Sequence, residues 1–98
     1  MKRLDLIFNE KELKTVIEAL DKSEADGYSV IRHVTGRGPH GSVSEDLEFT
    51  GVGSNVHVIV FCMQDTLENL RAGNLASILE YYGGVVYLSE AEPFDLAS

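Results

Sequence analysis

The stretch NVHVIVFCM, residues Asn55–Met63, is apolar at nearly every position. A short apolar run that follows a glycine-rich segment predicts a β-strand. Because polar and apolar residues do not alternate along it, the pattern predicts that both faces of the strand are buried. We therefore expect this strand to lie inside the fold.

A second strand and a long loop precede this run. The segment YSVIRHV, Tyr28–Val34, places its side chains alternately on two faces and predicts a strand. Between the two strands lies TGRGPHGSVSEDLEFTGVGSN, Thr35–Asn55, which holds five glycines and one proline and predicts neither helix nor strand. We place the loop at about residues 36–54. A loop of this length in a compact domain is often functional, and a mobile excursion without function is the alternative.

The N-terminal part predicts a strand followed by a helix. Leu4, Leu6 and Phe8 recur at every second position, as in a strand. Asn9, with Glu12 three residues later, forms a capping-box pattern that predicts a helix from about residue 10 to residue 22. The apolar stripe of this helix consists of Leu13, Val16, Ile17 and Leu20.

A second helix and a last strand follow the apolar run. Asp65 and Glu68 form another capping-box pattern, and the helix that it opens continues to about Tyr82. Gly73 in the middle of this helix costs about 1 kcal/mol relative to alanine and indicates close backbone packing. Two consecutive glycines end the helix, and VVYLSEAEPF, residues 85–94, is the fourth strand. The apolar side of the helix comprises Leu67, Leu70, Leu75, Ile78, Leu79 and Tyr82.

These elements follow the order βαββαβ. With both helices on one face of the sheet, this order defines a ferredoxin-like α+β fold, and residues 1–98 form a single domain. The other face of the sheet then has no helix to cover it. We therefore expect another copy of the chain to cover that face, so that the protein is an oligomer.

Composition limits the kinds of partner. The 98 residues carry a formal net charge of −8, which argues against a nucleic-acid backbone or an anionic membrane surface as the main partner. The single cysteine, Cys62, forms no intramolecular disulfide and favours a reducing compartment. The N-terminus lacks the apolar core of a signal peptide, and no apolar run reaches membrane-spanning length. These features predict a soluble, cytoplasmic protein that is not inserted in a membrane.

Glycine-rich segments stand at both ends of the long loop. The first, Gly36, Arg37 and Gly38, combines backbone N–H groups that can approach an anion closely with a side chain that binds phosphate or carboxylate bidentately. The second, Gly51–Asn55, repeats the glycines and adds the hydroxyl of Ser54. Both segments indicate an anion site at the root of the loop.

The middle of the loop has a different character. Val43, Leu47 and Phe49 stand among three carboxylates, a composition that suits docking on a basic partner with an apolar slot. A flexible arm whose carboxylates only maintain solubility is the alternative, and the sequence leaves both open.

Other chemistry has less support. His33, His40 and His57 have no cysteine near them in a ligand spacing, so we expect no metal site. Glu90 and Glu92 lie two residues apart in a strand, but no activated nucleophile accompanies them, so we predict no catalytic pair and no enzyme. The acidic chain also lacks the paired aromatic residues with which ferredoxin-like RNA-binding modules stack bases.

Three segments resemble a known family. GYSVIRHVTGRG, SNVHVIV and YYGGVVYLSEAEPF are similar to the PII-like signal-transduction proteins, and most of all to the carbon-linked branch found with bicarbonate transporters and carboxysome genes. The resemblance covers nearly the whole chain. It implies a homotrimer of ferredoxin-like subunits with adenine nucleotides bound between them. It also implies that the long loop, called the T-loop, changes order with ligand and contacts the target.

The resemblance implies binding residues as well. It places the phosphates at the root of the T-loop, and the nucleotide against a turn and the final strand near the subunit boundary. The implied nucleotide-binding residues are Gly36, Arg37, Gly38, Ser54, Asn55, Gly83, Gly84, Val85, Ser89 and Glu90. The relatives imply bicarbonate as a second ligand, for which the candidate residues are Arg37, Gly51 and Gly53.

One departure from the family affects the choice of nucleotide. Nitrogen-sensing members have additional lysines and arginines around the phosphates, whereas YYGGVVYLSEAEPF contains no cation. The cations on offer are Arg37, Arg32 and a protonated His40, and the γ-phosphate of ATP adds charge that needs compensation when it is desolvated. We therefore predict that ADP or AMP is preferred to ATP.

The leading hypothesis is a non-enzymatic regulator. Nucleotide and bicarbonate would select one arrangement of the T-loop, which binds or releases an inorganic-carbon transporter or a related carbon-metabolism protein. Two alternatives stay open. One is a small nucleotide-hydrolysing enzyme with Glu90 or a loop carboxylate as base, and the other is an amino-acid-sensing module of the ACT type, which shares the fold.

Overall fold

A computed structural model gives the fold of the chain. The structure describes residues 1–25, 27–38, 41–43 and 55–96, and of residues 37–38 and 41–43 it describes only the backbone. The strands are β1 (Lys2–Asn9), β2 (Tyr28–Val34), β3 (Gly36–Gly38), β4 (Gly41–Val43), β5 (Asn55–Cys62) and β6 (Val85–Glu90). The helices are a 3₁₀ turn (Glu10–Glu12), α1 (Leu13–Lys22), α2 (Gln64–Ala72) and α3 (Leu75–Tyr82).

Four strands form one antiparallel sheet in the order β2-β5-β1-β6. Helical segments connect β1 to β2 and β5 to β6, so the predicted ferredoxin-like α+β fold is confirmed. The strands β5 and β1 are central, and residues in register form rows across the sheet. Leu4, for example, pairs with Val60 on one side and with Leu88 on the other.

One face of the sheet carries the core. Leu6 of β1 and Val58 of β5 lie opposite each other and are completely buried. Val16 and Leu20 of α1 are also completely buried in the same cluster. We call this face of the sheet the core face and the opposite one the open face.

Burial alternates along β5. Val56, Val58 and Val60 are buried, whereas Ile59 is half-buried and Phe61 is exposed. The prediction that both faces of this strand are buried is therefore wrong for the single chain. The reason is that the helices pack on the core face and leave the open face uncovered in the single chain.

The first helix starts later than its sequence pattern predicts. The side chain of Asn9 accepts a hydrogen bond from the backbone N–H of Lys11 (2.9 Å) and caps the 3₁₀ turn. The α-helix itself therefore begins at Leu13. Its predicted stripe is confirmed, since Val16 and Leu20 are buried at the spacing of one helix face.

The second predicted helix is two helices. Gly73 has a ψ of −162°, which is an extended conformation, and its N–H closes α2 on the carbonyl oxygen of Asn69 (3.0 Å). Asn74 follows as the N-cap of α3. Glycine and asparagine are both weak helix formers, so the chain breaks here at low cost. A Cβ on Gly73 would meet the Asn69 carbonyl oxygen at 3.4 Å, an ordinary contact, so the predicted close packing is not found.

Two further details of this segment differ from prediction. The helix α2 begins at Gln64 with Met63 at its N-cap, so Asp65 lies inside the first turn and is not the cap. The Oδ1 of Asp65 instead accepts a hydrogen bond from the N–H of Thr66 (2.9 Å). Tyr82, predicted on the apolar side, is 49% exposed because α3 ends at the edge of the core.

Two glycines shape the turn between α3 and β6. Gly83 has a φ of 82°, the left-handed conformation that ends helices, and the N–H of Gly84 donates to the carbonyl oxygen of Leu79 (2.7 Å). A Cβ on Gly84 would lie 2.8 Å from Leu79 Cδ2, 3.0 Å from Phe8 Cβ and 3.3 Å from the Ile7 carbonyl oxygen. The predicted helix stop is confirmed, and Gly84 in addition lets α3 approach β1 closely.

The beginning of the predicted loop contains strands. β3 and β4 pair as a small antiparallel sheet in which Arg37 lies opposite Ser42. The prediction of irregular structure is therefore wrong for residues 36–38 and 41–43, where backbone pairing between near neighbours outweighs the glycine content. The loop's other residues lie outside the described ones.

A β-bulge precedes this hairpin. The register of β2 against β5 shifts between Ile31 and Val34, and His33 has a φ of 63°. The extra residue brings Val34 opposite Asn55. The bulge thus sets how the chain leaves the sheet and enters the loop.

Candidate functional site

Several residues predicted to bind ligand lie at the same end of the sheet, which we call the loop end. β2 ends there opposite Asn55, and the chain continues into Gly36–Gly38. β6 begins at the same end, because Val85 pairs with Ile7 near the end of β1. The turn formed by Gly83 and Gly84 therefore also lies at the loop end.

Within one chain, however, these residues stand at opposite edges of the sheet. The loop root follows β2 and the glycine turn precedes β6, and these are the two outer strands. Three strand spacings separate them, which is roughly 14 Å. A single chain therefore does not close one pocket around the loop root and the turn.

Ser89 and Glu90 lie at the other end of the sheet. They pair in register with Arg3 and Lys2, and Glu90 stands five positions along β6 from Val85, which is roughly 17 Å of strand. The Nζ of Lys2 donates a hydrogen bond to Glu90, and this contact holds the pKa of the Glu90 carboxyl below its usual value. Neither residue therefore reaches the loop root of its own chain.

The cations expected near the phosphates are only partly described. Arg32 is exposed and forms an ion pair with Glu10, so its charge is already offset by a carboxylate. The side chain of Arg37 lies outside the described part of the structure. The whole of His40, Gly51, Gly53 and Ser54 lies outside it as well.

The open face holds a polar cluster that the sequence analysis missed. Arg3 donates to both carboxylate oxygens of Asp5, from Nη2 at 2.9 Å and from Nε at 3.0 Å. His57 Nε2 lies 2.8 Å from Asp5 Oδ1, and the Arg3 guanidinium lies 5.6 Å from the centre of the Phe61 ring. The two-residue spacing of Arg3 and Asp5 was a signal for a shared face. Their contact with His57 depends on the pairing of β1 with β5, which the sequence does not give.

The cluster makes stability depend on pH. The hydrogen bonds from Arg3, more than the contact with His57, hold the pKa of Asp5 below its ordinary 3.8, against the opposing effect of burial. A carboxyl group with a lowered pKa in the fold contributes its full stabilisation above its unfolded pKa and loses it as the pH falls through the folded value.

We expect Asp5→Asn to lower the thermal midpoint near neutral pH, and the difference from wild type to shrink as the pH falls below about 4. Circular dichroism melts over a pH series measure both effects. Arg3→Gln in the Asp5→Asn background is the control, since it should add little once the carboxylate is gone. A cost of Asp5→Asn that is the same at acid and at neutral pH would show that the ion pair is not its source.

The described residues include no arrangement of three or more His, Cys, Asp or Glu side chains that would hold a metal ion. His57 contacts Asp5, and Cys62 is buried. Among the helices that the structure describes, none has the length and apolar character to cross a bilayer.

Several solved structures of PII-like proteins superpose on this chain. CPII, a nitrogen regulatory PII-like protein from Thiomonas intermedia K12 bound to ADP, AMP and bicarbonate, superposes with a TM-score of 0.79 at 22% identity, over 90% of this chain and 82% of its own. The apo form of the same protein gives 0.69 at 17% identity, over 90% and 85%. A PII-like signalling protein from Thermus thermophilus gives 0.67 at 14% identity, over 90% and 83%. At these identities the likeness establishes the fold.

The fold is thus that of the PII-like signalling proteins. The sequence model of the nitrogen regulatory protein P-II family matches residues 1–94, so the chain belongs to that family, as its resemblance predicted. None of the curated proteins matches the chain significantly. Members of the family are trimeric regulators that bind partner proteins and are generally not enzymes.

Proposed function

We propose that this protein is a cytoplasmic signalling protein that binds ADP or AMP and responds to bicarbonate. Through its T-loop it regulates an inorganic-carbon transporter or a related carbon-metabolism protein. Family membership supports the signalling role, and the ligands of CPII support adenine nucleotides and bicarbonate as the effectors. The acidic arm of the loop suits the basic cytoplasmic side of a transporter.

The observation that carries this proposal is the division of the candidate residues between the two outer strands at the loop end. The loop root and Asn55 lie beside β2, and Gly83–Val85 lie at the start of β6. When copies assemble, the β2 side of one copy meets the turn or the final strand of the next. Gly36–Gly38, Ser54 and Asn55 would then bind the phosphates from one copy, and the remaining candidates, Ser89 and Glu90 included, would come from its neighbour.

The open face supports self-association, and membership in the family supports a trimer. Ile31, Phe61 and Tyr87 lie on it and are exposed in the single chain, and Ile7 and Ile59 are half-buried there. Exposed apolar side chains gathered on one face are typical of an interface between subunits. Asp5 carries its own partners, so its charge enters such an interface already compensated. Sedimentation equilibrium should give three times the chain mass.

Charge sets the expected order of nucleotides. Lys2 and Arg3 are paired with carboxylates at the far end of the sheet and Arg32 is paired with Glu10, so we assign the main compensation of the phosphates to Arg37. A third phosphate would be poorly compensated.

We therefore expect ADP and AMP to bind more tightly than ATP, and bicarbonate to tighten ADP. The coupling should be reciprocal, since linkage requires ADP to tighten bicarbonate by the same factor. Isothermal titration calorimetry with each nucleotide, with and without bicarbonate at constant pH, measures all of these. Tighter binding of ATP than of ADP would contradict the charge argument.

In the part of the chain that the structure describes, no observation favours either of the two other functions. As a general base, Glu90 would be weakened by the hydrogen bond from Lys2 that lowers its pKa. Chromatography of ADP and ATP after incubation would reveal hydrolysis. A melting temperature that rises with amino acids and not with nucleotides would favour a module of the ACT type.

A further inference from the structure

An apolar groove opens on the core face beside β6. Val86 and Leu88 pair with the buried Leu6 and Leu4, yet they are 42% and 46% exposed. The helices therefore do not cover the last strand. We call this opening the β6 groove, and its lining includes Leu67, Leu70, Arg71, Leu75, Val86 and Leu88.

The size of the groove suits one aromatic ring. Its volume is about 190 Å³. An apolar cavity of roughly 150 Å³ in a protein binds benzene. The free energy falls when an apolar side chain displaces water from apolar surface of this kind.

The C-terminal segment, residues 91–96, carries large apolar side chains that do not pack on the core. Phe94 is 84% and Leu96 is 88% exposed, among the most exposed large apolar residues that the structure describes. Transfer of a phenylalanine side chain from water into an apolar environment is favourable. Docking of the segment on an apolar surface is therefore favourable.

Charge complements the apolar match. Arg71 is the one charged residue among the side chains that line the groove, and it forms no ion pair with any described carboxylate. The segment carries Glu92 and Asp95 on either side of Phe94. In a chain with a net charge of −8, an arginine at the mouth of an apolar groove selects an acidic segment with an aromatic anchor.

The direction of the chain favours a neighbouring copy as the source of the segment. The N–H of Ala91 donates to the carbonyl oxygen of Met1 (2.9 Å), so the chain still follows β1 at the end of the sheet where β1 begins. It leaves the sheet only after Ala91, and its own Phe94 is exposed and does not enter the groove. A second copy offers the same segment without a reversal of the chain.

We propose that residues 91–96 of one copy dock on a neighbouring copy, with Phe94 in the β6 groove and Glu92 and Asp95 beside Arg71. The contact would link copies through their C-terminal segments, independently of nucleotide. It rests on the self-association proposed above and goes beyond the ligands proposed there.

The test uses a single fluorescent reporter. The chain has no tryptophan, so the fluorescence of a Phe94→Trp variant reports on the surroundings of residue 94 alone. In the assembled protein we expect an emission maximum shifted to the blue of that of free tryptophan. Leu88→Asp in the same background should shift the emission to the red, and Arg71→Glu should do so in part. Ser77→Asp is the matched control, because Ser77 is exposed on α3 and does not line the groove.

Three outcomes would overturn the proposal. The first is a solvent-like emission in the parent Phe94→Trp protein. The second is a blue-shifted emission that Leu88→Asp does not change. The third is a blue-shifted emission that persists at dilutions where sedimentation finds only monomer. The last would mean that each chain fills its own groove. Circular dichroism melts confirm that every variant is folded. An ADP titration of the same samples separates the two proposals, since docking without nucleotide binding would contradict only the proposed function.

Discussion

Gly84→Ala should destabilise the protein by about 1–3 kcal/mol, the usual cost of forcing a methyl group into a packed site. The new Cβ would lie 2.8 Å from Leu79 Cδ2 and 3.0 Å from Phe8 Cβ. The leucine methyl group lies at the end of a side chain and can rotate away. The Phe8 Cβ and the nearby Ile7 carbonyl oxygen are fixed by β1, so α3 must move instead.

Urea denaturation of the nucleotide-free protein measures this cost. Gly27→Ala is the matched control, because nothing lies within 4 Å of a Cβ there, and we expect it to leave the free energy of unfolding unchanged within about 0.5 kcal/mol. Equal effects of the two substitutions would contradict the close packing of α3 against β1. The comparison also decides how to interpret a loss of ligand binding in Gly84→Ala, since a destabilised turn loses ligand without any direct contact.

Arg37→Ala should weaken ADP binding by roughly tenfold to more than a hundredfold, because a charge-assisted hydrogen bond contributes about 1.5–3 kcal/mol. The loss should be large at this position because Lys2, Arg3 and Arg32 are already paired with carboxylates. Arg37→Lys should recover part of the affinity, since an ammonium keeps the charge and loses the bidentate geometry.

Arg32→Ala is the control for charge alone. It removes a cation five residues away along the same strand and loop root, and its partner is Glu10. We expect calorimetry to show little change in ADP affinity for this variant. If Arg32→Ala and Arg37→Ala weaken ADP equally, the phosphates respond to net charge and not to a site at the loop root.

Much of the fold follows from local patterns in the sequence. The two-residue period of Leu4, Leu6 and Phe8 identified the buried face of β1, and the spacing of Val16 and Leu20 identified that of α1. Both patterns were informative because apolar side chains on the buried face of a strand or helix recur with the period of that element. The glycine stop at Gly83 was predictable for a similar reason, since a left-handed residue is a local requirement.

The features that the sequence did not give depend on contacts between distant residues. The break at Gly73 is a choice between one long helix and two short ones, and the weak helix propensity of Gly73 and Asn74 permits the break without requiring it. The contact between Asp5 and His57 requires the register of β1 with β5. The separation of the loop root from the glycine turn likewise needs the strand order, and it is this separation that points to a site between copies.

The most direct test of the proposed function is a calorimetric titration of ADP into the assembled wild-type protein, with and without bicarbonate. The account predicts saturable binding that bicarbonate tightens. Binding that bicarbonate leaves unchanged would remove the bicarbonate response and keep the nucleotide site. The absence of saturable binding under both conditions would contradict the central claim that this member of the P-II family senses adenine nucleotides.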